Sequence, residues 1–411
     1  MKVGIFQFNG CDKCFNESML LGGDHQITRV QVPKEWKGGE LDVAVITGHI
    51  LPKDKPIIEK IKHSSGRIVA YGSCATAGGP YGLTFQRGND VHPAHTFAGE
   101  DTVDVDGCLG EVEELEAALW GKQPNGQKLC AACPRRSTCE FLDEVVRQVE
   151  IEEDDDVCFN DKGFLCSGYV ARACKESCVS SGTPCRGCKP SIKDSGFRMV
   201  GMFATLMANV EVATEATGKG GTDKLADEPD ALTRSVPDVS GSFFRFVLPA
   251  SRMPIGKSES TGNMIGDIMV GRPIEEVPLI TGLIGGSKSI SFTIDSIEAY
   301  EKSAGIEVSE KTKGLRKSLI DLEKGLQGAI DDLDVEKYKT ITDKIRKIAG
   351  NMNLSNLFYG GFKVPIEDEN EFDVYKSSLI EITPGEYESG SVKYTLDQEG
   401  IITEFSWTVE A

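Results

Sequence analysis

Twelve of the thirteen cysteines fall into three sets of four, and that spacing restricts the chain more than any other feature. Cys11, Cys14, Cys74 and Cys108 punctuate the N-terminal part. Cys130, Cys133, Cys158 and Cys166 follow, and Cys174, Cys178, Cys185 and Cys188 close the run. Cys139 is left over, and no cysteine lies beyond Cys188. Thiolates are soft ligands, and sites built from four of them select iron–sulfur clusters or zinc. Three clusters in one chain would make a wire for single electrons.

Disulfides would need an oxidising compartment. The N-terminal stretch MKVGIFQF has no basic segment ahead of a long apolar region and no twin-arginine motif. The sequence contains no run of about 18 apolar residues that could span a bilayer. The expectation is a cytoplasmic chain whose thiols stay reduced, where paired CxxC motifs hold metal. Zinc ribbons use the same pairs, so zinc and iron–sulfur both stay open on spacing alone. A chain of 411 residues calls for two or three domains. Its net charge of −19 argues against nucleic acid as a partner and gives no support for an anionic membrane surface.

The first 120 or so residues read as an open α/β sheet. The apolar runs KVGIFQF (2–8), LDVAVITGH (41–49) and GRIVAYGSC (66–74) are strand-like, and TVDVDGC (102–108) is a weaker fourth. KPIIEKIKH (55–63) and GEVEELEAALWG (110–121) are the intervening helices. Cys11, Cys74 and Cys108 each follow an expected strand. Open α/β sheets bind ligands beyond the carboxyl ends of their strands, so a cluster is expected at that edge. Glycines 72, 78, 79, 107 and 110 would let backbone approach a bulky inorganic core.

These motifs also carry a resemblance. NGCDKCFNES (9–18) resembles the CxxCxxE signature of nickel–iron hydrogenase small subunits, and GSCATAGGP (72–80) resembles that family's second cysteine motif. DGCLGEVEELEAAL (106–119) resembles the third, but Leu109 and Gly110 stand where the family usually has proline after the cysteine. CFNDKGFLCSGYVARACKESCVSSGTPCRGC (158–188), separated from Cys133 by 24 residues, resembles the cytosolic, all-cysteine branch. That branch includes the viologen-reducing and deazaflavin-reducing hydrogenases of methanogens. VPDVSGSFFRFVLPASR (236–252) resembles the branch's usual C-terminal end.

The resemblance covers about residues 1–254 and implies two units there. The first is a flavodoxin-like domain (1–121) with a proximal cluster on Cys11, Cys14, Cys74 and Cys108. The second is a loop-rich iron–sulfur domain (122–254). It would hold a distal cluster on Cys130, Cys133, Cys158 and Cys166 and a medial one on Cys174, Cys178, Cys185 and Cys188. Residues 122–200 lack apolar periodicity, so clusters would supply much of their folding free energy. The resemblance further implies three [4Fe-4S] clusters, a nickel–iron centre in a separate large subunit and a further electron-accepting subunit in a hetero-oligomer. No hydrogen chemistry is expected in this chain alone. Glu17 is a possible proton relay; its alternative is a glutamate at a helix start, stabilised by the macrodipole. Cys139 reads as a small buried hydrophobe, with replacement of Cys130, Cys133 or Cys158 as a ligand the other possibility.

Other features carry less. VHPAH (91–95) reads as a surface or interface loop, and the histidines lack metal-ligand spacing. TGKGGTDK (217–224) lacks the ending of a phosphate-binding loop, and IEEDDD (151–156) lacks the alternation of a calcium site. Residues 255–411 lie outside the resemblance. GLRKSLIDLEKGLQGAIDDL (314–333) and VEKYKTITDKIRKIAG (335–350) read as a helical hairpin, and 377–410 as three antiparallel strands. This α+β extension is expected to serve docking or oligomerisation, or to cover a cluster. Two other functions remain open: a hydrogenase-like subunit of a redox complex without nickel–iron chemistry, and a zinc-stapled scaffold.

Overall fold

The computed structural model describes residues 1–124, 126–137, 145–146, 156–191, 195–201, 236, 238–251, 258–354, 378 and 382–408. Cys139, the TGKGGTDK segment and nearly all of IEEDDD lie outside the described residues.

Five parallel strands form the N-terminal sheet: β1 (Lys2–Gln7), β2 (Gln26–Val30), β3 (Val43–Thr47), β4 (Ile68–Tyr71) and β5 (Val103–Val105). Their order is β2-β1-β3-β4-β5, the flavodoxin-like arrangement. Alternating residues serve opposite faces. Val3, Ile5, Val43, Val45, Val69 and Tyr71 pack under Leu115 and Leu119 of α5 (Val112–Leu119). Phe6, Ala44, Ile46 and Ala70 pack under Ile58 and Ile61 of α2 (Lys55–Ser64), with Ala98 of α4 (His95–Ala98) in the same cluster. Burial on both faces explains the unbroken apolar runs of β1, β3 and β4. The sequence reading misses β2, because Gln26, Ile27 and Thr28 are exposed on an edge strand and leave no apolar run.

The C-terminal part contains α8 (Met264–Met269), α9 (Glu276–Ile284), α10 (Ser289–Ala304), α11 (Glu310–Asp331) and α12 (Val335–Ala349), followed by β6 (Gly385–Ser389), β7 (Val392–Leu396) and β8 (Ile402–Trp407). The helical hairpin and the three antiparallel strands are both present. α7 (Val239–Phe244) precedes them. This part does not stand off from the sheet. Its core residues Ile280, Ile284, Leu326 and Ile345 belong to one cluster with Ala77, Tyr81, Leu83, Cys108 and Leu109. Among the described residues, no helix is long and apolar enough to cross a membrane.

Candidate iron–sulfur sites

The proximal set gathers beyond the carboxyl ends of the strands. Cys11 follows β1, and Cys14 lies in α1 (Lys13–Glu17). Cys74 lies in α3 (Ser73–Ala77) after β4, and Cys108 lies just past β5. The β1–β3 boundary is where the strand order reverses, so the crevice that favours ligands opens beside Cys11. Only two of the five glycines press on sulfur. Gly72 has φ +91°, and a Cβ there would stand 2.4 Å from Cys14 Sγ. Gly79 has φ +57°, and its Cβ would stand 2.6 Å from Cys74 Sγ. The cradle is cut to backbone size where the thiols meet. Gly78 faces Pro249 and Gly110 faces the Tyr71 ring instead.

Burial pushes the Cys14 thiol up to about 12, and the neighbouring Cys11 adds to the rise. Cys74 and Cys108 are raised well above the usual thiol range, first by burial and then by the other proximal cysteines. Buried thiols that raise one another stay protonated unless a cation lies among them. A thiophilic metal centre supplies that charge and displaces the protons.

The other two sets form in the cysteine-rich segment. Burial raises Cys174 and Cys188; Cys188 and Cys178 add to the rise at Cys174, and Cys108, then Cys178, add to it at Cys188. Burial likewise pushes Cys166 up to about 12, with Cys158 and Cys130 adding to the rise. Backbone N–H groups already point at sulfur, as cluster ligands require: Cys185 N donates to Cys166 Sγ at 3.2 Å and Gly187 N to Cys185 Sγ at 3.5 Å. Cys166 therefore abuts the set of Cys185, while Cys108 abuts the set of Cys178 and Cys188. Ser73 Oγ donates to the Cys188 carbonyl at 2.5 Å across the same junction. Cys130 lies in α6 (Leu129–Ala132) and is exposed. Among the described residues, no three Cys, His, Asp or Glu side chains converge tightly enough for a single metal ion. The donor sets, four soft thiols each with N–H donors around them, fit iron–sulfur clusters.

The departure from the third motif has a structural counterpart. Asp106 accepts from Arg172 at 2.9 Å, and Lys189 pairs with Glu111 at 2.8 Å and Glu114 at 3.0 Å. Acidic residues around Cys108 thus clamp the cysteine-rich segment to the sheet domain through nearly buried cations.

A family model described as "NADH ubiquinone oxidoreductase, 20 Kd subunit" matches residues 9–120. An F420-non-reducing hydrogenase subunit of Methanothermus fervidus is 30% identical over 130 residues, covering 30% of this chain and 93% of that protein. The chain belongs to the nickel–iron hydrogenase small-subunit family. The corresponding F420-non-reducing hydrogenase subunit of Methanothermobacter marburgensis is 26% identical over 309 residues, covering 62% of this chain and 96% of that protein. An F420-non-reducing hydrogenase iron-sulfur subunit of Archaeoglobus profundus is 22% identical over 271 residues, covering 51% of this chain and 79% of that protein.

Within this family member, Glu17 sits differently from the helix-start alternative. It is the last residue of α1, not the first, so the macrodipole cannot stabilise its charge. It is 6% exposed, and Oε2 accepts from the Tyr338 hydroxyl at 2.8 Å. Arg346 approaches Oε1 at 3.6 Å. Burial pushes Glu17 up to about 7, against the opposing pull of Tyr338 and Arg346. VHPAH is likewise no surface loop: Val91 and Ala94 are fully buried, and His92 pairs with Ile50 through the backbone.

Tyr338 and Arg346 come from α12, so the extension reaches the proximal set. Lys13 Nζ donates to the carbonyls of Gly282 at 2.8 Å and Met352 at 3.1 Å. Asp12 Oδ1 accepts from Ser287 N at 2.8 Å, and Asn353 Nδ2 donates to the Cys108 carbonyl. Sequence reasoning saw no chemistry in residues 255–411. Contacts that span about 200 to 340 residues leave no periodic signal.

Proposed function

We propose that this chain is the electron-transferring small subunit of a nickel–iron hydrogenase, with three [4Fe-4S] clusters on its twelve paired cysteines. The observation that carries the reading is the spatial order of the sets. In the chain the order is proximal, distal, medial; in space Cys108 meets Cys178 and Cys188, and Cys185 meets Cys166. A relay requires that order, whereas independent structural staples do not. Iron–sulfur clusters, when bound, exchange single electrons. The chain's residues hold them in place, bury Cys108 and Cys185, and leave the distal end most open at the exposed Cys130. Tyr169, half-exposed with Lys128 over its ring at 5.3 Å, flanks that end.

The large subunit would meet the proximal end and a further electron-accepting subunit the distal end, in a cytoplasmic hetero-oligomer. Residues 1–121, 122–254 and 255–411 serve as three functional units. Glu17 would hold a proton beside the proximal set, with Tyr338 as its hydrogen-bonding neighbour. One observation favours the second reading, a partner without nickel–iron chemistry: the chain's own α12 covers Glu17.

The test is anaerobic co-purification with partner chains, followed by iron, sulfide, zinc and nickel analysis. Four cysteines per [4Fe–4S] cluster imply about twelve irons per chain. Stoichiometric zinc with negligible sulfide would refute the cluster reading. A full iron complement with a nickel-free partner would select the second one.

A further inference from the structure

Residues 351–354 form a tight turn after α12, at the junction of the proximal and medial sets. Leu354 N donates to the Asn351 carbonyl at 3.0 Å. Leu354 has φ +60° although it is a branched residue only 1% exposed. Such a backbone persists only where the surroundings over-determine it. Met352 N donates to Glu176 Oε2 at 2.7 Å, and Glu176 Oε1 pairs with Arg346 at 2.8 Å. The Met352 carbonyl accepts from Lys13.

Asn351 is oriented from both ends. Its Oδ1 accepts from Asn353 N at 3.0 Å, so its NH2 must point the other way. That NH2 donates to the Glu176 carbonyl at 3.2 Å and to Cys178 Sγ at 3.8 Å. Two residues on, Asn353 donates to the Cys108 carbonyl. One turn of the extension therefore touches a medial thiol and a proximal backbone.

We infer that Asn351 is a positioning residue that sets the reduction potential of the medial cluster, by donating an N–H to the sulfur of Cys178. The inference rests on the cluster reading above. A donor to a ligand sulfur stabilises the reduced, more negative form over the oxidised one. The same donor, with the buried Arg186 beside it, lowers the Cys178 thiol against the rise that burial causes. Residues outside the cysteine motifs thus tune the middle of the wire, and the turn ties that setting to Cys108.

The experiment is an electron-paramagnetic-resonance redox titration of the complete anaerobic complex, with iron content measured on each sample. Asn351→Ala should make one cluster harder to reduce and leave two unchanged at full iron. Loss of one hydrogen bond to a charged group is worth about tenfold in the equilibrium. For a one-electron couple tenfold is about 59 mV. Asn351→Asp keeps the shape and the Asn353 contact but replaces the donor with a carboxylate, so its shift should be larger and in the same direction. It also decides the matter if the alanine variant loses iron. Asn351→Gln, which restores an amide donor, should recover part of the shift. Three midpoints unmoved in Asn351→Asp at full iron would overturn the inference, as would equal movement of all three. A wild-type complex without three cluster signals would overturn the cluster reading itself, and this inference with it.

Discussion

Gly72→Ala puts the proximal cradle to a quantitative test. The residue has φ +91° and ψ 152°, a region open to glycine almost alone. Placing alanine there costs about 1–3 kcal/mol in backbone strain. Its Cβ would also stand 2.4 Å from Cys14 Sγ, well inside contact distance. Overpacking of that kind costs about 1–3 kcal/mol more. Displacing the sulfur relieves the overlap but removes one of four ligands, so the strain falls on the proximal cluster. The expected result is loss of about four of about twelve irons, with the medial and distal signals intact. Gly88→Ala is the control, because Gly88 has φ +82° but nothing within 4 Å of its would-be Cβ. It carries a left-handed penalty of about 1–2 kcal/mol without the clash and should keep all its iron. Anaerobic iron analysis, paramagnetic resonance and thermal unfolding read the three quantities separately. A Gly72→Ala protein with full iron and an unaltered proximal signal would refute the argument.

Glu17→Gln should remove a pH dependence of stability. Glu17 is raised from 4.5 to about 7, so its stabilising contribution is fully present below about 4.5 and is lost as pH rises through about 7. The loss is on the order of 3 kcal/mol, and anaerobic Tm between pH 5 and 8 should fall in the wild type while the Glu17→Gln variant stays flat; equal slopes would count against a buried, protonated Glu17. Arg172→Ala leaves the nearly buried Asp106 without its cation, while Glu114 keeps Lys189, and should cost about 3 kcal/mol, read as a drop in Tm; an unchanged Tm would show that the clamp is dispensable. Cys166→Ala should abolish the distal signal alone, and Cys139→Ala should keep all three. Removing residues from 310 onward should cost the proximal cluster first, because Leu319, Leu326 and Ile345 share a core with Cys108 and Leu109; retention of the proximal signal in that truncated chain would contradict the packing argument.

Most of the sheet and the cysteine pairs that follow or flank it were legible because both rest on local chemistry. β1, β3 and β4 are buried on two faces and show as apolar runs, and the glycine-flanked Cys11 and Cys74 follow β1 and β4. The paired helices α11 and α12 were legible for a similar reason: each keeps an apolar stripe at helical spacing. β2 was not, because an exposed edge strand has no burial to mark it. For Glu17 the sequence showed a carboxylate near a cysteine pair and left its role undecided, since its burial depends on a tyrosine and an arginine more than 320 residues away.

The candidate ligands and the soft-metal chemistry they favour were thus readable from composition and spacing, which only need the right atoms a few residues apart. Their order in space, and the surroundings that tune them, were decided by the fold. Cys174, Cys178, Cys185 and Cys188 come last in the chain yet meet both Cys108 and Cys166, and Arg172 and Lys189 tie their segment to the acidic residues around Cys108. The 351–354 turn reaches Cys178 and Cys108 because the extension shares a core with the sheet domain. Such contacts form only when apolar surfaces far apart in the chain are buried together, and burial over that distance writes no pattern into the residues on either side.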